Sequence, residues 1–586
     1  MYLESPASSA EALEKFREIV GSANVLKSDR LTERYSRGYR YGQGKVLAVV
    51  RPGNLVEQWR VLNVAVAHDF IIIIQAANTG LTGGSTPFGE DYERPVVILN
   101  LMRVKRIDVI QNGEEVICQP GSTLVELEEA LKPYGREPHS VIGSTCIGAS
   151  VTGGICNNSG GALIKRGPAF TQMALYAKLD EKGKLVLVNH LGVELDEDPE
   201  TLLGMLDKGD YAESAITPQG EKWCSDREYL SHVRDINSPE PARYNADPRK
   251  LYEVSGCAGK LAVFAVRLDT FPQDLDSKVF YIGTNSTATL QEIRQDILSS
   301  FKSLPIAGEY LHRESYSMTA TYGKDLFLLT KLFGARSIPK AFAVKSSFDS
   351  LAKRYRFLHG LSDKVIQKLM RYLPNHLPVR MNEYHSRFDH HLIIRMGQEG
   401  LEELRSYLKS KISNCDTDFF ECNKVEGDDA FTHRFAVGAA SIRYRTINQS
   451  KVQDILSLDV ALPRNEKEWL PEIPQSLKSK IIATNICAHF FCHVIHLDYM
   501  VGKGENIAEI KDELLKVMRA RGAKYPAEHN VGHIYEAGAE QKKFFQALDP
   551  CNRFNPGIGK TTRRKFWGSH LESKESVNDR CGQGQK

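Results

Sequence analysis

No stretch of this chain is long and apolar enough to cross a bilayer. Its most apolar short run, residues 70–74, is far below the roughly 18 consecutive apolar residues that a spanning helix takes. The chain is therefore expected to sit on a membrane at most. The opening MYLESPASSAEALEKF lacks a basic start followed by an apolar segment, so it does not read as a secretory signal. None of the 11 cysteines, scattered from Cys118 to Cys581, forms a CxxC pair. Odd in number and in a chain large enough to build cores without crosslinks, they read as reduced, mostly buried thiols of a reducing cytosol, not as a disulfide framework. A large excess of one charge is missing too. The net charge is only +3, so its distribution matters more than its sum.

What is present is an ordinary globular composition, 42% hydrophobic and 25% charged, over 586 residues. That length predicts two or three domains. Residues 11–20 and 55–68 read as helices, 70–75 as a buried strand, 96–100 and 115–119 as strands, and 124–131 as a short helix. Residues 174–190 and 260–270 are again strand-like, and 271–330 reads as a strand and helix pair. A mixed α+β first domain ending near residue 270 follows.

Two loops are rich in small residues. FIIIIQAANTGLTGGST, residues 70–86, runs a buried strand into Gly80, Gly83 and Gly84. Such a loop turns several backbone N–H groups into one concavity, a cradle for a pyrophosphate. It has neither the GxGxxG spacing nor a following GK[ST], and taken alone it is equally an ordinary tight connection. The second stretch, GSTCIGASVTGGICNNSGG at 143–161, holds six glycines. A plain helix or strand does not carry so many; they mark sharp turns or close approach to a ligand.

Two such loops about sixty residues apart, around a strand–strand–helix unit, resemble the FAD-binding domain of the vanillyl-alcohol oxidase, or para-cresol methylhydroxylase, family. With QAANTGLTGGSTP, REPHSVIGSTCIGASVTGGICNNSGG, PARYNADP and SGCAGKLAVFAVRLDT, the chain looks like the respiratory, quinone-linked D-lactate dehydrogenases of bacteria over about residues 10–565. The resemblance implies FAD-dependent oxidation of D-lactate, with electrons passed to a membrane quinone at the cytoplasmic face of the bacterial inner membrane. It places the pyrophosphate on Ala76, Ala77, Asn78, Thr79, Gly80, Gly84 and Ser85. It places the second loop's contacts at Gly143, Ser150 and Gly160, and a backbone contact at Val263. Some relatives hold FAD covalently through a histidine near the first loop. Residues 75–86 contain none, so the flavin is expected to be non-covalent.

Histidines cluster late in the chain. AHFFCHVIHLDY carries His489, His493 and His496, and PAEHNVGH carries Glu528, His529 and His533. Imidazole suits both proton transfer near neutral pH and metal ligation. On a helix 489, 493 and 496 would share one face. On a strand 489 and 496 would point opposite ways unless a bulge or turn intervened. Wider flavin-linked D-2-hydroxy acid dehydrogenases carry two histidines seven apart and a Glu-His pair, which implies a divalent metal on His489, His496 and Glu528 and a base in His529. This chain keeps that spacing without the glycines of the relatives' HGHxGDGNxH stretch. The alternative is a histidine cluster that binds the substrate carboxylate directly. Arg434, in FTHRFAVGAAS, matches the substrate arginine of the relatives; the alternative is a surface salt bridge.

Between residues 331 and 387 twelve lysines and arginines face three acids, with Phe333, Phe342, Phe348, Tyr355, Phe357 and Tyr372 interleaved. The rest of the chain is thus net acidic. No nucleic-acid motif accompanies this basic run; of the two other readings, a solvated face or contact with an anionic phospholipid surface, the second fits best. The expected architecture is α+β, in three parts and a tail. A two-part FAD domain (1–270, completed by 521–565) carries an α+β cap (271–330 and 388–520). A basic membrane-contact insert (331–387) interrupts the cap, and a loose tail (566–586) follows. Rival readings are the same machinery on D-2-hydroxyglutarate or glycolate, and a non-catalytic membrane-surface binding protein.

Overall fold

The computed structural model describes residues 6–142, 145–334, 361–412 and 416–571. Gly143 and residues 335–360 of the basic insert lie outside them. The described chain forms three sheets of four or more strands, with helices on their faces.

The first sheet has the order Val25–Leu26, Ala48–Val50, Val96–Asn100 and Ile71–Gln75, with the last three parallel. Its strands are almost wholly apolar because both faces are covered. On one face lie the helices Pro6–Val20 and Leu55–Ala67. The second of these starts where Asn54 accepts the N–H of Glu57, a cap that stabilises a helix by about 1 kcal/mol. Phe554 returns from far along the chain to the free edge. Ile72 donates to Arg553 and accepts from Asn555, at 3.1 and 2.9 Å.

The second sheet is antiparallel, in the order Ile107–Ile110, Glu115–Cys118, Ala262–Asp269, Ala174–Leu179 and Leu185–Asn189. It shares one core with the first sheet and packs its other face on Leu124–Leu131 and Val151–Cys156. The third is a seven-stranded antiparallel sheet in the order Thr417–Glu421, Lys278–Thr284, His390–Met396, Ala307–His312, Ile481–His489, Val494–Gly502 and Val452–Ala461.

Two expectations change. Residues 271–330 are not one strand and helix pair. They hold the strands Lys278–Thr284 and Ala307–His312, with the helices Thr287–Ser300, Arg313–Tyr322 and Lys324–Phe333. The apolar 3.6-residue and 2-residue periods alternate there over segments too short to separate by pattern. Of the expected loose tail, residues 572–586 lie outside the described residues, and its first residues are docked. Lys565–Leu571 forms a turn that docks, with the Phe566 N–H on the Cys551 carbonyl and the Trp567 indole on the Asp549 carbonyl. Two aromatic side chains stabilise that ordering, against a composition that is otherwise polar and basic.

Candidate active site

The histidine segment is a hairpin. Ile481–His489 and Val494–Gly502 pair antiparallel across the turn Phe490–Cys492, with His493 in the left-handed region at φ 53°. His489 faces Val494 and Cys487 faces His496 in the register. Residues two apart on one strand share a face, and directly paired residues do too. His489 and His496 therefore lie side by side, their rings 5.2 Å apart and nearly perpendicular. The turn resolves the parity problem that a single strand would have had. His493 is not part of the group: its ring is buried against the Pro463 carbonyl and Gln291.

The neighbouring strands extend this row. Glu309 pairs with His489 on one side and Asp459 pairs with His496 on the other. Four strands thus align Glu309, His489, His496 and Asp459 across the sheet. Glu528 and His529 lie over the row. His489 Nδ1 is 2.7 Å from Glu309 and its Nε2 is 3.2 Å from Glu528. His496 Nδ1 is 3.3 Å from Asp459 and its Nε2 is 3.7 Å from Glu528. His529 Nε2 stands 3.8 Å from Asp459. Two guanidiniums close the ends. Arg434 Nε lies 2.9 Å from Glu309, and Arg243 donates to Glu528 at 2.8 Å and to the Gly161 carbonyl.

Burial by itself would raise all three carboxyl groups, but the cations opposite outweigh it. His489 and Arg434 hold Glu309 below the usual carboxylate range. His489 and Arg243 hold Glu528 well below it, and His529 and His496 lower Asp459. Burial also opposes a charge on His489, yet the carboxylates on either side raise its pKa to about 10. His529 moves the other way. Burial lowers it, and Asp459 only partly compensates. At neutral pH the cluster therefore holds a protonated His489 and a neutral His529.

The helix Lys424–Phe435 presents Arg434 from its last turn, where a cation suits the helix dipole. Its start is fixed by a capping box of Asn423 and Glu426. The Arg434 side chain is only 12% exposed, with Nη2 lacking a hydrogen-bond partner, so its pair with Glu309 is not a surface ion pair. A buried, half-paired guanidinium is suited to take a carboxylate by parallel bonds.

The first small-residue loop is held open from beneath. Asn100 donates to the Ala76 carbonyl, Gln75 to Ser85, and Ser85 to Asn78, which has φ 54°. A methyl group at Gly80 or at Gly148 would meet nothing within 4 Å, so both glycines border open space of the kind a bound dinucleotide fills. Ser150 caps Val151–Cys156 through the Gly153 N–H. Val263 is less available: its carbonyl already accepts Gln58 at 2.9 Å, and the strand bulges between Val263 and Ala265. Residues 528–533 tie both loops to the histidine row. A Cβ at Gly160 would come within 2.5 Å of Glu528. Asn530 bonds Asn157 and accepts from Thr82, while His533 bonds the Thr82 and Thr86 carbonyls and stacks on Phe88. The open space at Gly80 and Gly148, on loops held in place from beneath, fits FAD.

Arg243, Glu309 and Asp459 do not stand out in the sequence. Their signal is there: Glu309 and Asp459 are acids among apolar neighbours in strands, AGEYLH and SLDVA, and a buried charge demands a partner. Nothing in the sequence says which partner.

Residues 279–567 match the family described as D-lactate dehydrogenase, membrane binding, and residues 46–189 match the FAD binding domain. A quinone-dependent D-lactate dehydrogenase of Haemophilus influenzae is 52% identical over 95% of this chain and 99% of its own. The Escherichia coli protein of the same description is 49% identical over 95% and 97%. Among solved structures, p-cresol methylhydroxylase with substrate bound superposes at TM-score 0.57 and 12% identity, covering 95% of this chain and 98% of that one. An alkyldihydroxyacetonephosphate synthase does so at 0.57 and 13%, covering 95% and 86%. These two similarities concern the fold.

Glu528→Gln leaves Arg243 and His489 facing a neutral amide of the same shape. Breaking a buried pair from one side is expected to cost about 3–5 kcal/mol, read as a lower urea midpoint of the flavin-loaded protein.

Proposed function

Because the chain belongs to the quinone-dependent D-lactate dehydrogenases, we propose that His529 removes the lactate hydroxyl proton while Arg434 holds the carboxylate. The reaction is oxidation of D-lactate to pyruvate with electrons passed to quinone. FAD, when bound, supplies the acceptor for the hydride leaving C2. The observation that carries the assignment is the pair of opposite shifts within one cluster. A neutral His529 accepts a proton, whereas His489, charged and clamped by two carboxylates, does not. Arg243, bound to Glu528 and the Gly161 carbonyl, sits between this chemistry and the second small-residue loop.

His529 must be neutral to act, and its pKa lies below the ordinary 6.5. The kcat/KM profile is expected to stay flat as pH falls to about 6.5 and to decline only beneath it. His529→Asn should lower kcat roughly 10²–10⁴-fold. Arg434→Lys, which keeps the charge but loses the fork, should chiefly raise KM. Unchanged kcat in the first variant, or unchanged KM in the second, removes that residue from its role. Anaerobic bleaching by D-lactate and not by L-lactate, D-2-hydroxyglutarate or glycolate fixes the substrate.

The cofactor is held without a covalent bond in this reading. His533, the histidine packed on the first loop, already commits Nε2 to the Thr86 carbonyl. The cluster, in this reading, also runs on a proton at the place where the wider-family resemblance implies a metal. The donor atoms of His489, His496 and Glu528 do lie within 4.8 Å of one another, as do those of Asp459, His496 and His529. But Glu309 and Glu528 are matched by Arg434, Arg243 and protonated His489, and a divalent ion would have to displace that tightly held proton. Acid precipitation should release the flavin, with less than one metal ion per chain and turnover unaffected by a chelator. Flavin retained on the pellet, or loss of activity that zinc restores, counts against this.

Among the described residues no helix is long and apolar enough to cross a membrane. Leu332, Phe333, Leu369, Tyr372 and Val379 are instead exposed, at 58–79%, beside Lys364, Lys368 and Arg371. We read this patch as the bilayer contact. Its aromatic and aliphatic side chains enter the interface, and each nearby Lys or Arg adds about 1 kcal/mol on an anionic surface. Binding to vesicles containing phosphatidylglycerol should fall with salt; equal binding to neutral vesicles in high salt contradicts the preference for anionic lipid.

A further inference from the structure

We infer that Asp459 is a positioning residue for the proton transfer, acting through His529 and His496. The inference rests on His529 being the base. Asp459 sits on the strand Val452–Ala461 with its side chain 6% exposed. Its Oδ2 accepts the backbone N–H of Glu528 at 2.8 Å and approaches that of His529 at 3.3 Å. The same oxygen stands 3.8 Å from His529 Nε2, and Oδ1 stands 3.3 Å from His496 Nδ1. No lysine or arginine pairs with it among the described residues. Its charge is met only by imidazoles and peptide N–H groups.

The side chain is not needed to attach this segment to the sheet. Ala461 and Lys524 already exchange backbone hydrogen bonds at 2.8 and 2.9 Å, and the Ala527 N–H reaches the Asp459 carbonyl at 3.0 Å. What the carboxylate adds begins where that ladder stops. By gripping two consecutive N–H groups it fixes the peptide from which Glu528 and His529 diverge, the first toward Arg243 and His489, the second toward its own side. A carboxylate facing Nδ1 of His496 favours the proton there, so that Nε2 of His496 points at Glu528. When His529 takes the hydroxyl proton it becomes a cation, and Asp459 is the charge that faces it. The proton goes to His529; Asp459 remains a carboxylate throughout.

Asp459→Asn separates these effects, because the amide oxygen still accepts both backbone N–H groups while the charge is gone. The full-length, FAD-loaded enzyme would be assayed with D-lactate and C2-deuterated D-lactate. The expected result is kcat lower by roughly 10–100-fold with KM within about threefold, unchanged flavin content and a larger primary isotope effect. Asp459→Glu should recover part of the rate that Asp459→Ala loses. Unchanged kcat in Asp459→Asn overturns the inference. So does a parallel fall in kcat, flavin content and melting temperature, which marks a merely structural residue. Added to His529→Asn, the Asp459→Asn change should cost little more; a full additional loss in the double variant also overturns the inference. Undiminished activity of His529→Asn alone overturns the reading of the base instead.

Discussion

A carboxylate taken out of water stays charged only where cations and N–H groups replace its hydration, and Glu528 is held in that way from every side. Arg243 comes from the loop beside the second small-residue turn, and His489 from the hairpin end of a strand in the seven-stranded sheet. Its backbone N–H goes to Asp459. One buried side chain thus joins the second small-residue turn to the seven-stranded sheet, and Gly160 is small because that side chain occupies the space where a Cβ would be. Losing any partner strands a charge, so the arrangement is all or none.

The alternation continues outward from Glu528: Arg243, Glu528, His489, Glu309, Arg434 run positive, negative, positive, negative, positive. Such a chain fixes its own protonation. His489 keeps its proton because it lies between two carboxylates, and the carboxylates keep their charge because of His489 and the guanidiniums. His529 stands beside this chain, near Asp459 and stacked on His496, and is left neutral. One row of similar residues therefore yields an inert cation and a usable base, through environment alone. The positive end at Arg434 leaves a donor unmatched, which is what an incoming 2-hydroxy carboxylate requires.

Much of the local structure was legible in the sequence. The uninterrupted apolar run at 71–74 became a parallel strand covered on both faces, and the helices at 55–67 and 124–131 followed from apolar spacing, with Asn54 and Thr123 as caps. The small-residue loops and the late histidines stood out by composition, whereas the Glu528-His529 pair and Arg434 were singled out only by the family resemblance. Between residues 271 and 330 the reading was too coarse, because short alternating segments share one apolar content.

The sequence by itself determined which residues are able to do the chemistry: imidazoles, a guanidinium, and glycines that let a backbone approach a ligand. Those are properties of single side chains and short spacings. Only the tertiary structure decided which histidine is charged and which neutral, that His493 and His533 support loops and do not join the row, and that Arg243, Glu309 and Asp459 complete it. Strand register brings together residues nearly two hundred positions apart, and a pKa is set by the neighbours that register supplies. No local pattern carries either.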